Sequence, residues 1–256
     1  MLIRERLFIV NYQKSINRTT RPSAANGNTL LIDGTAYVPM HVRDLESFRK
    51  WCRSDKYPKR GDFCWLGDIL WVDLSREDAP THGLVKSAVA AVLHQICKSD
   101  ASGEVYIDAM RVSHPDADMS CEPDVMFISF DSFESGTVRE IAGKAEGSVV
   151  EFEGSPDLVV EILSNSSELK DFKLLPARLF AAGVKEYWLI DARRDDVTFE
   201  IFRRGFRRFV KSAARAGLVK SAVFARSFRL LRTTNDRGRP SYELKYGQEG
   251  IDNANS

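Results

Sequence analysis

The chain has 256 residues, 43% of them hydrophobic, enough to fill one large core, and its 37 Lys and Arg nearly balance 36 Asp and Glu. No apolar run reaches the roughly 18 residues of a membrane-spanning helix, which excludes a helical membrane protein. The opening Met1-Leu2-Ile3-Arg4-Glu5-Arg6 lacks the apolar stretch of a secretion signal, so a cytoplasmic location is expected.

Residues 1–28 carry turn chemistry and little periodicity, which predicts a loose N-terminal arm. From 29 to 80 a lead-in unit is expected, with a short strand, a helix over 44–52, the turn Lys59-Arg60-Gly61-Asp62, and a strand over 68–74. Leu84, Val85, Ala88, Val89, Val92, Leu93 and Ile96 then recur at helical spacing, with Thr81 as the expected N-cap. Strands are expected over 104–112, 123–130 and 157–164, followed by a helix over 172–182 closed by Gly183 and a strand over 186–191. The last strand, helix and strand make a βαβ crossover, so the core over 81–195 is read as α/β with an at least partly parallel sheet. Beyond it, 197–203, 206–211, 219–231 and 242–246 read as hairpins of a β extension over 196–248, and 249–256 as a tail.

The charges are segregated. Residues 100–171 hold 17 acids against 4 bases, whereas 201–235 hold 10 Lys or Arg and no acid. A cation site beside an anion-binding surface is what action on a nucleic acid requires. Cys52, Cys64, Cys97 and Cys121 are spaced too widely for a Cys-x-x-Cys site and read as reduced thiols, and His41, His82, His94 and His114 show no metal-binding spacing. A bound metal would therefore be held by oxygens, which suits Mg2+ or Mn2+.

Carboxylates written into apolar runs indicate where. In Pro156-Asp157-Leu158-Val159-Val160-Glu161-Ile162-Leu163-Ser164, strand alternation puts Asp157, Val159, Glu161 and Leu163 on one face. Asp157 and Glu161 are four steps apart, roughly 13 Å, too far to share an ion. Asp124, in Glu122-Pro123-Asp124-Val125, opens the preceding strand and is the expected partner of Glu161, since adjacent strands lie about 4.8 Å apart. Asp157 then reads as a strand-entry cap. Plainer readings stand beside these: Glu161 in a structural network, Asp124 as a turn residue after Pro123, His82 as a surface or capping histidine, Asp191 as a hairpin residue. Arg203, Arg204, Arg207 and Arg208, with Arg215, Arg226, Arg229 and Arg232, either grip phosphates or stand exposed over buried phenylalanines.

These motifs, with Asp171 and Ala182-Gly183-Val184-Lys185-Glu186-Tyr187-Trp188-Leu189-Ile190-Asp191, resemble the Uma-two restriction-endonuclease family of the PD-(D/E)XK nuclease superfamily, over about 82–191. The resemblance implies a restriction-endonuclease-like mixed sheet flanked by helices, with an N-terminal lead-in and a C-terminal β-hairpin extension. It implies a metal-dependent endonuclease acting on DNA, with Asp124 as first and Glu161 as second ligand of Mg2+ or Mn2+. Nucleases of this fold commonly pair to cut both strands, so a homodimer is expected, although no stretch marks its interface. The superfamily's lysine normally stands two residues after the second acid, where this chain has Leu163. The family's displaced position in the next helix falls on Leu175, expected to be buried with Phe172 and Leu179 on one face. Lys170 and Lys173 remain as substitutes. Pro176 sets the helix start near Lys173 and leaves Lys170 in the preceding loop, as the expected catalytic cation. The rival reading, which Leu163 and Leu175 favour, is a protein of the same fold that binds nucleic acid or a protein partner without cleaving.

Overall fold

A computed structural model describes residues 7–11, 23–25, 29–32, 36–75 and 78–248. The strand Leu158–Ile162 is buried along its whole length and lies inside a six-stranded sheet. From one edge the order is Phe209–Lys211, Thr198–Arg204, Glu186–Asp191, Leu158–Ile162, Val125–Ser129 and Gly103–Ile107. Leu158–Ile162 and Glu186–Asp191 run parallel, as the crossover requires, and every other pair is antiparallel. The core sheet thus runs past residue 195 to Lys211.

Four helices are present among the described residues: α1 (Leu45–Cys52), α2 (Leu84–Asp100), α3 (Phe130–Glu134) and α4 (Leu175–Ala182). No helix among these residues is long and apolar enough to cross a membrane. The apolar stripe of α2, with Val85, Val89, Leu93 and Ile96, covers the sheet face that presents Leu158, Val160 and Ile162. The opposite face, with Val159, Leu163 and Leu189, packs on Leu175, Leu179 and Ala182 of α4. Alternation along Leu158–Ile162 therefore sends Glu161 toward α4, as its sequence parity requires.

Helices α2 and α4 are each entered through a π-helical turn, Ala79–Gly83 before α2 and Lys170–Leu174 before α4. In the first, Asp78 is the N-cap and accepts from Thr81 N at 3.2 Å, so Thr81 is a residue of the turn rather than its cap. In the second, the amide of Leu175 donates to the carbonyl of Lys170, and the helical chain includes Lys170 instead of beginning near Lys173. At the far end Gly183 takes a left-handed φ of 95° and closes α4, as its sequence position predicts.

A second, seven-stranded sheet abuts the core, in the order Leu7–Asn11, Ile69–Asp73, Asp62–Leu66, Met119–Cys121, Arg111–His114, Val149–Gly154 and Val138–Ala142. The expected strand over 104–112 is broken here. Asp108 and Ala109 have positive φ of 41° and 50°, which ends Gly103–Ile107 in one sheet and starts Arg111–His114 in the other. The expected loose arm is also corrected in part: residues 7–11 pair in parallel with Ile69–Asp73, and 23–25 pair with Thr29–Ile32, while the rest of 1–28 lies outside the described residues, as does 249–256. A four-stranded sheet over Ala214–Arg215, Leu218–Ser221, Arg226–Thr234 and Pro240–Gln248 adds Val219, Phe228, Leu230 and Leu244 to the α2 side of the core.

Asp157 anchors the entry to the central strand, as expected of a cap. Its buried carboxylate accepts from Ser129 N at 2.7 Å, from Ser132 Oγ at 2.8 Å and from Lys185 Nζ at 2.5 Å. Burial pushes this carboxyl up, and the Lys185, Ser129 and Ser132 donors more than reverse it, holding it below the ordinary value of 3.8. A lowered folded-state pKa means that this stabilisation is complete above the unfolded-state value and is lost as pH falls through the folded one. Asp157→Asn is expected to cost about 2 kcal/mol at neutral pH and to flatten the acid limb of stability below about pH 4, read by urea titration across pH. An acid limb identical to that of the wild type would refute this role.

Candidate active site

The C-terminal end of Leu158–Ile162 opens on a cavity of about 240 Å³ lined from both sheets and both π turns. Its walls are acidic, with Asp62, Asp73, Asp108, Asp124, Glu161 and Asp171 facing Lys170 and His82. Val125 pairs with Val160, so Asp124 and Glu161 meet across adjacent strands, as the sequence geometry predicts. Asp124 Oδ2 accepts from Ile162 N at 2.7 Å and lies 3.2 Å from His82 Nε2, while its Oδ1 is 3.1 Å from Lys86 Nζ. Burial pushes Asp124 up, but His82, Lys86 and the Ile162 amide outweigh it and bring its pKa down to about 2.

Glu161 is 3% exposed. Its Oε2 lies 3.3 Å from Lys170 Nζ, while its buried Oε1 has no hydrogen-bond partner among the described residues. Burial raises the Glu161 carboxyl well above its ordinary value, with Lys170 opposing. Asp171 is likewise pushed up by burial, to about 6. Lys170 itself stays firmly charged: burial disfavours its ammonium, but Asp171, Asp62 and Glu161 outweigh that and raise it. Three carboxylates around one ammonium leave negative charge unbalanced, which favours uptake of a cation or a proton.

Lys170, expected in a loop, sits in the π turn with its side chain only 5% exposed, and reaches Asp62 Oδ2 at 3.0 Å as well as Glu161. Leu163 and Leu175, the positions where the resemblance places a lysine, are buried in the apolar cluster around α4. Phe172 is 52% exposed and does not join Leu175 and Leu179, because the wider turn swings it outward. Lys173 points to solvent.

The arginines do not converge on this cavity. Arg203 pairs with Glu186, which pairs with Leu158, so the Arg203–Arg208 hairpin tip lies at the opposite end of the strands from Glu161. Arg204 donates to the Phe180 carbonyl at 2.6 Å and stacks over the Phe180 ring, fastening the end of α4. Arg226 pairs with Asp100, Arg232 with Asp195, and Arg203, Arg207 and Arg208 are exposed, flanking Phe206. Asp191 pairs with Arg193 in a local hairpin contact, as its sequence reading holds.

Sequence reasoning missed His82, Lys86 and Asp62. His82 is not a surface residue but is 7% exposed against Asp124. The signal that could have found it is its spacing of four from Lys86, which puts both on the side of the helix facing Asp124. Asp62 carries no local signal, since only the packing of the two sheets brings it to Lys170.

No group of three His, Cys, Asp or Glu side chains among the described residues forms a ready metal cage. Asp124 together with the donor-free Oε1 of Glu161 nonetheless fits a hard divalent ion that draws its remaining ligands from water and phosphate oxygens, the usual habit of Mg2+.

The core is thus a mixed α/β sheet with a helix on each face and an acidic cavity at its strand ends. A family profile described as "Putative restriction endonuclease", Uma2, matches residues 45–224, and the chain belongs to that family. The fold is shared with the crystal structure of a "putative nuclease belonging to DUF820" from Anabaena variabilis. That protein is 16% identical, with a TM-score of 0.52, over 71% of this chain and 90% of that one. No curated protein matches the chain.

Proposed function

We propose that the chain is a metal-dependent endonuclease that hydrolyses phosphodiester bonds in DNA. The observation that carries this reading is the buried Oε1 of Glu161, left without a donor beside Asp124 and within the same cavity as a lysine ammonium. Asp124 and Glu161 would hold Mg2+ or Mn2+. The bound ion would polarise the scissile phosphate and lower the pKa of an attacking water.

The chain's own residues do the rest. Backbone pairing of the two strands and the Ile162 amide fix Asp124, while His82 and Lys86 keep it ionised. Lys170 presents a fixed positive charge next to Glu161, suited to steady the charge that builds on the phosphate as the water oxygen bonds to phosphorus and the opposite P–O bond breaks. Exposed Lys59 and Arg60 adjoin the cavity wall at Gly61 and Asp62 and suit phosphate contacts along a strand. Four free thiols, three of them buried, agree with a reducing cytoplasm.

The test is nicking and linearisation of supercoiled plasmid by the full chain in Mg2+ or Mn2+, with EDTA abolishing it. Plasmid bound but left intact in both metals would favour the rival, a nuclease fold that binds without cutting, for which the apolar Leu163 and Leu175 speak. A matched RNA substrate separates DNA from RNA preference.

A further inference from the structure

The cavity holds a second convergence of carboxylates that the two-carboxylate reading does not use. Asp62 Oδ2, Glu161 Oε2 and Asp171 Oδ1 lie 3.0, 3.3 and 3.4 Å from one atom, Lys170 Nζ. Glu161 is the shared member. Its Oε2 faces the ammonium, while its other oxygen, buried and without a donor, is free to face an ion held with Asp124. A carboxylate bridging two cations in this way is the arrangement of two-metal phosphodiesterases, whose ions stand about 3.5–4 Å apart. Here one of the two cation positions is filled by a side chain.

We infer that Lys170 is a built-in cation standing where a second divalent ion would sit, so that the site takes one ion and recruits a second only when the ammonium is removed. The inference rests on the proposed reading of Asp124 and Glu161 as ligands and deepens it. It also explains how the chain dispenses with a lysine at Leu163 or Leu175: the positive charge comes from an earlier turn of the same helix and is already neutralising the acids that surround it. An ammonium, with three rotatable N–H donors, accepts longer and less regular oxygen contacts, whereas Mg2+ or Mn2+ requires short oxygen contacts in fixed geometry. The acid triad is therefore held open at hydrogen-bond distances rather than drawn in to metal distances.

Ion counting decides the matter. The full chain is stripped with chelator and titrated with Mn2+, bound ions being counted by calorimetry and by the paramagnetic resonance of free Mn2+. Wild type and Lys170→Arg are expected to bind one ion, and Lys170→Met, which keeps the buried stem but not the charge, two. Loss of the ammonium leaves three carboxylates facing one another, so Mn2+ should raise the Tm of Lys170→Met by more than that of wild type. Two ions in wild type, one in Lys170→Met, or a Lys170→Met protein that stays unfolded in saturating Mn2+ would each overturn the inference while leaving Asp124 and Glu161 as ligands. No ion in wild type overturns the parent reading, and this one with it.

Discussion

Glu161→Gln is expected to abolish metal-dependent cleavage, by roughly a thousandfold or more, while leaving the protein as stable as wild type or more so. The two halves of this expectation come from the same burial. Glu161 is nearly inaccessible, burial raises its carboxyl, and one of its oxygens has no donor, so the charged form is held at an energetic cost. A neutral amide of the same shape relieves that cost and still accepts from Lys170 through its carbonyl oxygen. It cannot serve as an anionic ligand, and forfeiting about 4 kcal/mol of charge stabilisation at about 1.4 kcal/mol per tenfold gives the loss in rate. Initial rates of plasmid nicking and thermal melts measure the two halves. Retained cleavage would remove Glu161 from the chemistry, and a lower Tm with cleavage lost would return it to the structural network that is its plainer reading. Asp124→Asn should lose cleavage to a similar degree.

The largest effect on stability is expected at Glu186, far from the cavity. This buried carboxylate accepts from Trp188 Nε1 at 3.1 Å, Ser221 Oγ at 2.8 Å, Val223 N at 3.2 Å and the amide of Ala222. Two of those donors are backbone amides of the hairpin turn between Leu218–Ser221 and Arg226–Thr234 of the C-terminal sheet, so one side chain ties that sheet to the core. Glu186→Ala removes the acceptor of all four and leaves buried donors unpaired. With about 1–3 kcal/mol for each stranded donor, discounted for local relaxation, the expected loss is about 4 kcal/mol. Denaturant unfolding would show it as a fall in midpoint at unchanged slope. A loss under about 1 kcal/mol would mean that water replaces the carboxylate and that apolar packing alone holds the sheet.

Much of the central architecture was legible because its signals are local. Period-two alternation gave Glu161 its face, the apolar run gave the central strand, Gly183 gave the end of α4, and the βαβ order gave the parallel pair. Met119–Cys121, Val138–Ala142 and Val149–Gly154 were not legible, although they form local hairpins, because they are short or carry acids that hide the strand pattern. Glu151 shows why: it looks like a surface acid in a polar stretch yet is wholly buried between Arg49 and Arg53 of the lead-in unit. At the candidate site, Asp124 and Glu161 could be paired from strand geometry and His82 carried only its spacing from Lys86, whereas Asp62 had no local signal, because its position depends on how the second sheet docks. The arginine cluster misleads for the opposite reason. Its charge is evident in composition, but only the register of Arg203 with Glu186 reveals which end of the sheet it occupies.

The π turns at the heads of α2 and α4 bear on how such a site can change. In an α-helix each residue turns the axis by about 100°, so inserting or deleting one residue ahead of a docked helix rotates everything before it while the packed stripe behind keeps its register. The five-residue turn Lys170–Leu174 is closed by the amide of Leu175, the first residue of α4, donating to the carbonyl of Lys170. The turn therefore sets the helical phase at which Lys170 meets the cavity, while Leu175 stays packed in the apolar cluster behind it.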